Sequence, residues 1–139
     1  MQKKAAWIAV TILILMMTVM GFFFLINRRE YTLELPKAED LKSIAIAADA
    51  MNADVTNVEE IKDIIYVIGD GGRTTKRESL NDSPANAEIP IKIEFCFAKG
   101  ESSLLYIYTQ DNRYYIEQPY NGIYQISGDE YNSIAKYVL

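Results

Sequence analysis

Ile89 to Ala98 reads IPIKIEFCFA. Every second residue of the run, from Ile89 through Ile91, Ile93 and Phe95 to Phe97, is large and apolar. Pro90, Lys92, Glu94, Cys96 and Ala98 occupy the places between. Successive side chains of a strand point to opposite faces, so this period of two predicts a strand with one buried face. Pro90 has no N–H to donate, which places it near the strand start or on a sheet edge. Lys99-Gly100 is a turn signal, and Ser103 to Thr109 predicts the next strand. Asp111-Asn112 suits a second tight turn, because both residues tolerate positive φ. Strands over Tyr114–Gln118 and Ile123–Ile126 follow, separated by the turn Pro119-Tyr120-Asn121-Gly122. Consecutive strands with short links form an antiparallel meander.

Upstream, Arg73 to Ala87 is the longest polar stretch and lacks periodicity, as in a functional or mobile loop. Before it, Val58, Ile61, Ile64, Ile65 and Ile68 fall on one helical face. Thr56 and Glu59 have the spacing of a capping box, and Gly69-Asp70-Gly71-Gly72 stops the helix, which is expected over 57–68. The glycine run follows a helix, whereas phosphate-binding glycine loops precede one. Tyr31–Leu35, closed by Pro36, and Leu41–Ala48 predict two earlier strands. After the meander, Ser127 and Glu130 repeat the capping-box spacing, and Tyr131, Ile134, Ala135 and Val138 mark a closing helix. The expected order is β-β-α-β-β-β-β-α: an α+β domain with one antiparallel sheet and both helices on one face.

The other decisive stretch is Ala5 to Ile26, AAWIAVTILILMMTVMGFFFLI, which carries no charge. As a helix it is long enough for a hydrocarbon core of ~30 Å. Its length, and the bulky phenylalanines at its end, argue for an uncleaved signal-anchor over a cleaved signal. The expected organisation is a tail at 1–4, a span at 5–27, a link at 28–30 and one domain at 31–139. Lys3 and Lys4 before the span nearly balance Arg28 and Arg29 after it. The short head favours a cytoplasmic N-terminus with the domain outside. An inward-facing domain is the alternative.

Four of the 14 Lys and Arg and one of the 19 Asp and Glu precede Tyr31, so residues 31–139 carry about −8. Such a surface repels nucleic acid and anionic headgroups. One cysteine, Cys96, excludes an intramolecular disulfide, and its place on the polar side of a strand gives nothing to activate it. With no histidine, the chain lacks the usual base near neutral pH and the commonest metal ligand. Asp49 and Asp54 lack the spacing of a calcium loop. No catalytic, cofactor-binding or metal-binding residue is therefore assigned. Carboxylates are plentiful, which keeps an acid–base enzyme on wall glycans as the rival reading. Arg73, Lys76 and Arg77 form the one basic spot, expected to be a solvated loop.

Tyrosine is over-represented locally: six of the ten lie between Tyr106 and Tyr124. Such rings pack across strands, and exposed ones make contact surfaces. Tyr120 sits at a turn tip. Tyr115 lies on the strand face opposite Ile116, the expected core residue. Tyr115, Tyr120 and Tyr124 are therefore the candidate partner-contact residues.

The run from Ile91 to Ile134, IKIEFCFAKGESSLLYIYTQDNRYYIEQPYNGIYQISGDEYNSI, resembles small Firmicute envelope domains of unknown function. ELPKAEDLKSI (Glu34–Ile44) and YYIEQPYNGIYQI (Tyr114–Ile126) carry the likeness most clearly. Similar segments resemble modules attached to transmembrane regulators of the beta-lactam sensor kind. The resemblance implies an extracytoplasmic module of a Gram-positive envelope and supplies no site residue. The expectation is a membrane-tethered, non-enzymatic binding, accessory or sensory domain. Its partners would be the membrane and an envelope protein or wall polymer.

Overall fold

In a computed structural model, residues 2–26 and 29–139 are described. Met1, Asn27 and Arg28 lie outside the described residues, and so does the expected boundary between span and link at 27–28. Helix α1 covers Gln2–Ile26, and its window Ala6–Leu25 is long and apolar enough to cross a membrane with none of it buried. Its two threonines spend their hydroxyls on their own helix, Thr11 on Trp7 O (2.8 Å) and Thr18 on Leu15 O (2.8 Å). Polar groups satisfied in this way are the kind a lipid environment tolerates.

Strand β1 (Tyr31–Thr32) pairs only with β4 (Thr74–Thr75). A six-stranded antiparallel sheet holds β2 (Leu41–Ala48), β3 (Met51–Val55), β5 (Ile91–Phe97), β6 (Ser102–Gln110), β7 (Arg113–Glu117) and β8 (Ile123–Ile126). Its spatial order is β3-β2-β5-β6-β7-β8. Helix α2 (Val58–Gly69) lies between β3 and β4, and α3 (Gly128–Ala135) closes the domain.

The registers place the core. One row across the sheet runs Val55–Ile44–Phe95, a second Ala53–Ile46–Ile93–Leu105, and a third Ile91–Ile107–Ile116–Tyr124. These rows share one face. Ile61, Ile64 and Ile68 of α2, with Ile134, Ala135 and Val138 at the end of the chain, complete the same buried cluster. The α+β class, the meander and the placement of both helices on one face thus match the sequence reading.

Several details differ. The strand begins at Ile91, and Ile89 is half-exposed outside it, because Pro90 cannot donate to the ladder. The expected strand over Tyr31–Leu35 pairs as a strand for two residues only. Strands β3 and β4 were not anticipated. The cap of α2 is Asn57, whose side chain accepts from Glu59 N (2.9 Å) and Glu60 N (3.2 Å), and not Thr56. Asn ranks at least as high as Thr at this position. The box at Ser127 and Glu130 forms as expected. The glycine stop is also as read, with Asp70, Gly71 and Gly72 all at positive φ.

Candidate functional site

Hairpin β7–β8 turns over Gln118-Pro119-Tyr120-Asn121, closed by Asn121 N donating to Gln118 O at 3.0 Å. Pro119 fixes the first corner. Tyr120 takes the second at φ 59°, a position that favours glycine or asparagine. A tyrosine held there is strained, and strain of this kind concentrates at functional surfaces. The ring is 67% exposed. Gly122 follows because an added Cβ would lie 2.7 Å from both Thr75 Cγ2 and Tyr124 Oη.

The turn also holds the segment that leaves α1. Gln118 accepts from Glu34 N through Oε1 (3.0 Å) and donates to Glu34 O through Nε2 (2.7 Å). Asn121 donates to Thr32 O (2.8 Å) and to Gln118 Oε1 (2.7 Å). Two side-chain amides thus hold Thr32 and Glu34 in addition to the short β1–β4 pairing and the bond from Leu33 N to Arg73 O (2.9 Å). Thr32 is six residues past Ile26, so at ~3.5 Å per residue this clamp lies within about 21 Å of the end of α1.

A strap from the polar loop covers the other side of the hairpin. Arg77 O accepts from Ile123 N (2.9 Å), and Ser79 N donates to Asn121 O (3.1 Å). Glu117, a carboxylate 2% exposed, accepts from Ser79 Oγ (2.6 Å) and from Tyr108 Oη (3.0 Å). Burial, and then the Glu117 charge, push the Tyr108 hydroxyl well above its ordinary value. The Arg77 guanidinium lies 5.1 Å from the Tyr115 ring centroid. Arg73 is spent as well, on the last carbonyls of α2 and on Glu130. Two of the three residues read as a solvated basic spot therefore hold the fold.

Beside the turn is an open groove of about 710 Å³, lined among others by Glu34, Asp82, Tyr106, Gln118, Tyr120 and Asn121. Tyr120 Oη donates to the Asp82 carboxylate. That hydrogen bond, then burial and the Asp82 charge, raise the Tyr120 hydroxyl above its ordinary value.

Of the three candidate contact tyrosines, only Tyr120 is exposed. Tyr115 is 7% exposed, because the Arg77 strap covers the face that looked open. Tyr124 is 2% exposed, because it pairs with Ile116 on the core face. Its hydroxyl is buried without a hydrogen-bond partner, and burial, then Glu34, push it up to about 12. Gln118, Asn121, Glu34 and Asp82 were not singled out from the sequence.

Other chemistry-bearing residues are separated or engaged. Ser133 on α3 and Lys136 just past its end have an S-x-x-K spacing. Ser133 Oγ donates to Asp129 O (2.8 Å), while Lys136 Nζ sits 5.1 Å from the Tyr137 ring centroid. Among the described residues no group of three or more His, Cys, Asp or Glu could hold a metal ion.

No curated protein matches the chain, and no solved structure does. A family model matches residues 29–125, from two residues before β1 through all but the last residue of β8. That span contains the clamp, the strap and the groove. The chain belongs to the DUF5301 family, described as a domain of unknown function (DUF5300).

Proposed function

We propose that this chain is a membrane-tethered domain of the cell envelope that binds or senses a partner outside the cytoplasm and does no chemistry itself. The observation that carries the reading is Tyr120. An exposed ring is kept in a strained backbone position and lines a groove together with Glu34, Gln118 and Asn121 of the clamp to the membrane-proximal segment. A residue chosen for turn stability alone would be Gly or Asn. The apolar α1 supports tethering. The resemblance to Gram-positive envelope modules supports the outward placement.

Tyr120→Ala should leave the melting temperature within a few degrees of wild type, since surface changes usually fall within about ±0.5 kcal/mol. Recovery of the partner identified by proximity labelling in the native cell should fall. A variant that unfolds, or that captures the partner as well as wild type, contradicts the contact role.

Protease added to intact cells stripped of wall should digest residues 31–139. Cleavability of the domain is checked on the solubilised chain. Survival of the domain until the membrane is opened would mean that it faces inward.

A second reading has one observation in its favour: two carboxylates, Glu34 and Asp82, line the same groove. Glycosidases use such pairs about 5–10 Å apart. Release of reducing ends from wall glycan by the purified chain, lost in Glu34→Gln, would favour this reading over binding.

A further inference from the structure

Strand β6 is longer than its partner on one side. Its pairing with β5 starts at Ser102, opposite Cys96. Its pairing with β7 starts only at Tyr106, opposite Glu117, where the chain turns away at Gln118. Ser102 to Leu105 therefore carry a ladder on the β5 side only, and Ser102, Ser103 and Leu104 line the groove. An unpaired strand edge is a template for another strand. Four residues at ~3.3 Å give about 13 Å of edge, room for a short extended segment.

The charge of the groove narrows the occupant. Glu34 and Asp82 line it, and no Lys or Arg does. Neither carboxylate belongs to an ion pair among the described residues. The nearby cations Arg73 and Arg77 are engaged elsewhere. Asp82 accepts one hydrogen bond from Tyr120 and keeps further lone pairs for a donor. The Tyr106 and Tyr120 rings line the same space, and a cation near such rings is attracted to them. The volume, about 710 Å³, lies within the ~300–1,000 Å³ typical of ligand sites.

We infer that the groove receives an extended, lysine- or arginine-bearing peptide segment of a neighbouring protein. The segment adds a short strand to the Ser102–Leu105 edge and sets its basic side chain between Glu34 and Asp82, against Tyr120. The inference rests on the reading of the groove as the binding surface and names the occupant. The clamp keeps the site near the membrane, so the segment belongs to a protein at the membrane surface.

The test uses the full chain in nanodiscs of phosphatidylcholine, titrated calorimetrically with acetyl-Val-Lys-Val-Lys-Val-amide. The acidic counterpart, with Glu for Lys, and a version with the central Val replaced by Pro are the comparison probes. The basic peptide should bind and the acidic one should not. The proline version, lacking one main-chain donor, should bind about 2- to 10-fold more weakly. Glu34→Gln with Asp82→Asn should weaken the basic peptide about 5- to 10-fold, and Tyr120→Ala about 2- to 5-fold. Glu39→Gln with Asp54→Asn removes two exposed charges away from the groove and should change binding less than 2-fold. Equal binding of acidic and basic peptides, or equal losses in the two charge-pair variants, would overturn the inference. If no peptide binds while partner capture still depends on Tyr120, the basic-peptide inference falls and the contact surface stands. If capture is also indifferent to Tyr120, both fall.

Discussion

Phe95→Ala should lower the free energy of unfolding by about 3–5 kcal/mol, and Ile93→Ala by about 2–5 kcal/mol. The two side chains are 1% and 0% exposed at the centre of the central strand pair. Phe95 stands opposite Ile44, and Ile93 between Ile46 and Leu105. Truncation removes apolar surface that folding takes from water and leaves a cavity among neighbours fixed by two ladders. Cys96 is the internal control. It follows Phe95 directly, points to the opposite face and is half-buried, and its thiol makes only a 3.8 Å contact to Glu94 O. Cys96→Ser should cost less than about 1 kcal/mol. Urea denaturation of the detergent-solubilised chain measures all three. Equal losses would mean that the two faces of β5 are misassigned.

Arg73→Met should cost about 2–4 kcal/mol. The side chain is 11% exposed. Nε donates to Ile68 O (2.7 Å) and Nη2 to Val67 O (3.3 Å), at the end of α2 where carbonyls lack helical partners. Nη2 also meets the Glu130 carboxylate, which closes the capping box of α3 through Ser127 N (2.7 Å). One guanidinium therefore joins the negative end of α2 to the start of α3. Methionine keeps much of the volume and leaves those acceptors unpaired. Losses at Arg73 and Glu130 should be less than additive, because the two residues share one contact.

The same contact makes stability acid-sensitive. Burial pushes the Glu130 carboxyl up, but hydrogen bonds from Ser127 and the Arg73 contact outweigh it and hold the group below the ordinary 4.5. A carboxyl lower in the folded than in the unfolded chain stabilises fully above the unfolded value. That stabilisation is lost as pH falls through the folded value. The deficit of Arg73→Met relative to wild type should therefore narrow below about pH 4.5. A deficit independent of pH would assign the loss to the α2 carbonyls alone.

The sequence discloses most where residues a few places apart decide the structure. The alternation in Ile91–Phe97 shows the strand, its core face and its solvent face together. Leu41–Ala48 and Ile123–Ile126 coincide with β2 and β8 to the residue. Strand β3 is hidden, because Asn52, Ala53 and Asp54 are weak strand formers that an edge position tolerates. The site is hidden for a different reason. Gln118 and Asn121 act on backbone 84 and 89 residues away, and Ser79 reaches Glu117 across 38. No local pattern records such pairings. The burial of Tyr115 follows from them, since the strap that covers it comes from the loop before β5. Arg73 did leave a signal: a cation just past a glycine stop complements the negative end of the preceding helix. Tyr120 was legible because a turn tip cannot be covered by its own hairpin.

The most direct test of a contact surface at this turn is photocrosslinking in the native cell. Tyr120 is replaced by p-benzoylphenylalanine in one strain and Tyr66, the 78%-exposed tyrosine on α2, in another. The probe inserts into C–H bonds, so it reports protein and polymer partners alike. A discrete adduct from position 120 and none from position 66 is the expected result. Adducts of equal yield from both positions, or from position 66 alone, would contradict a binding surface at the hairpin turn.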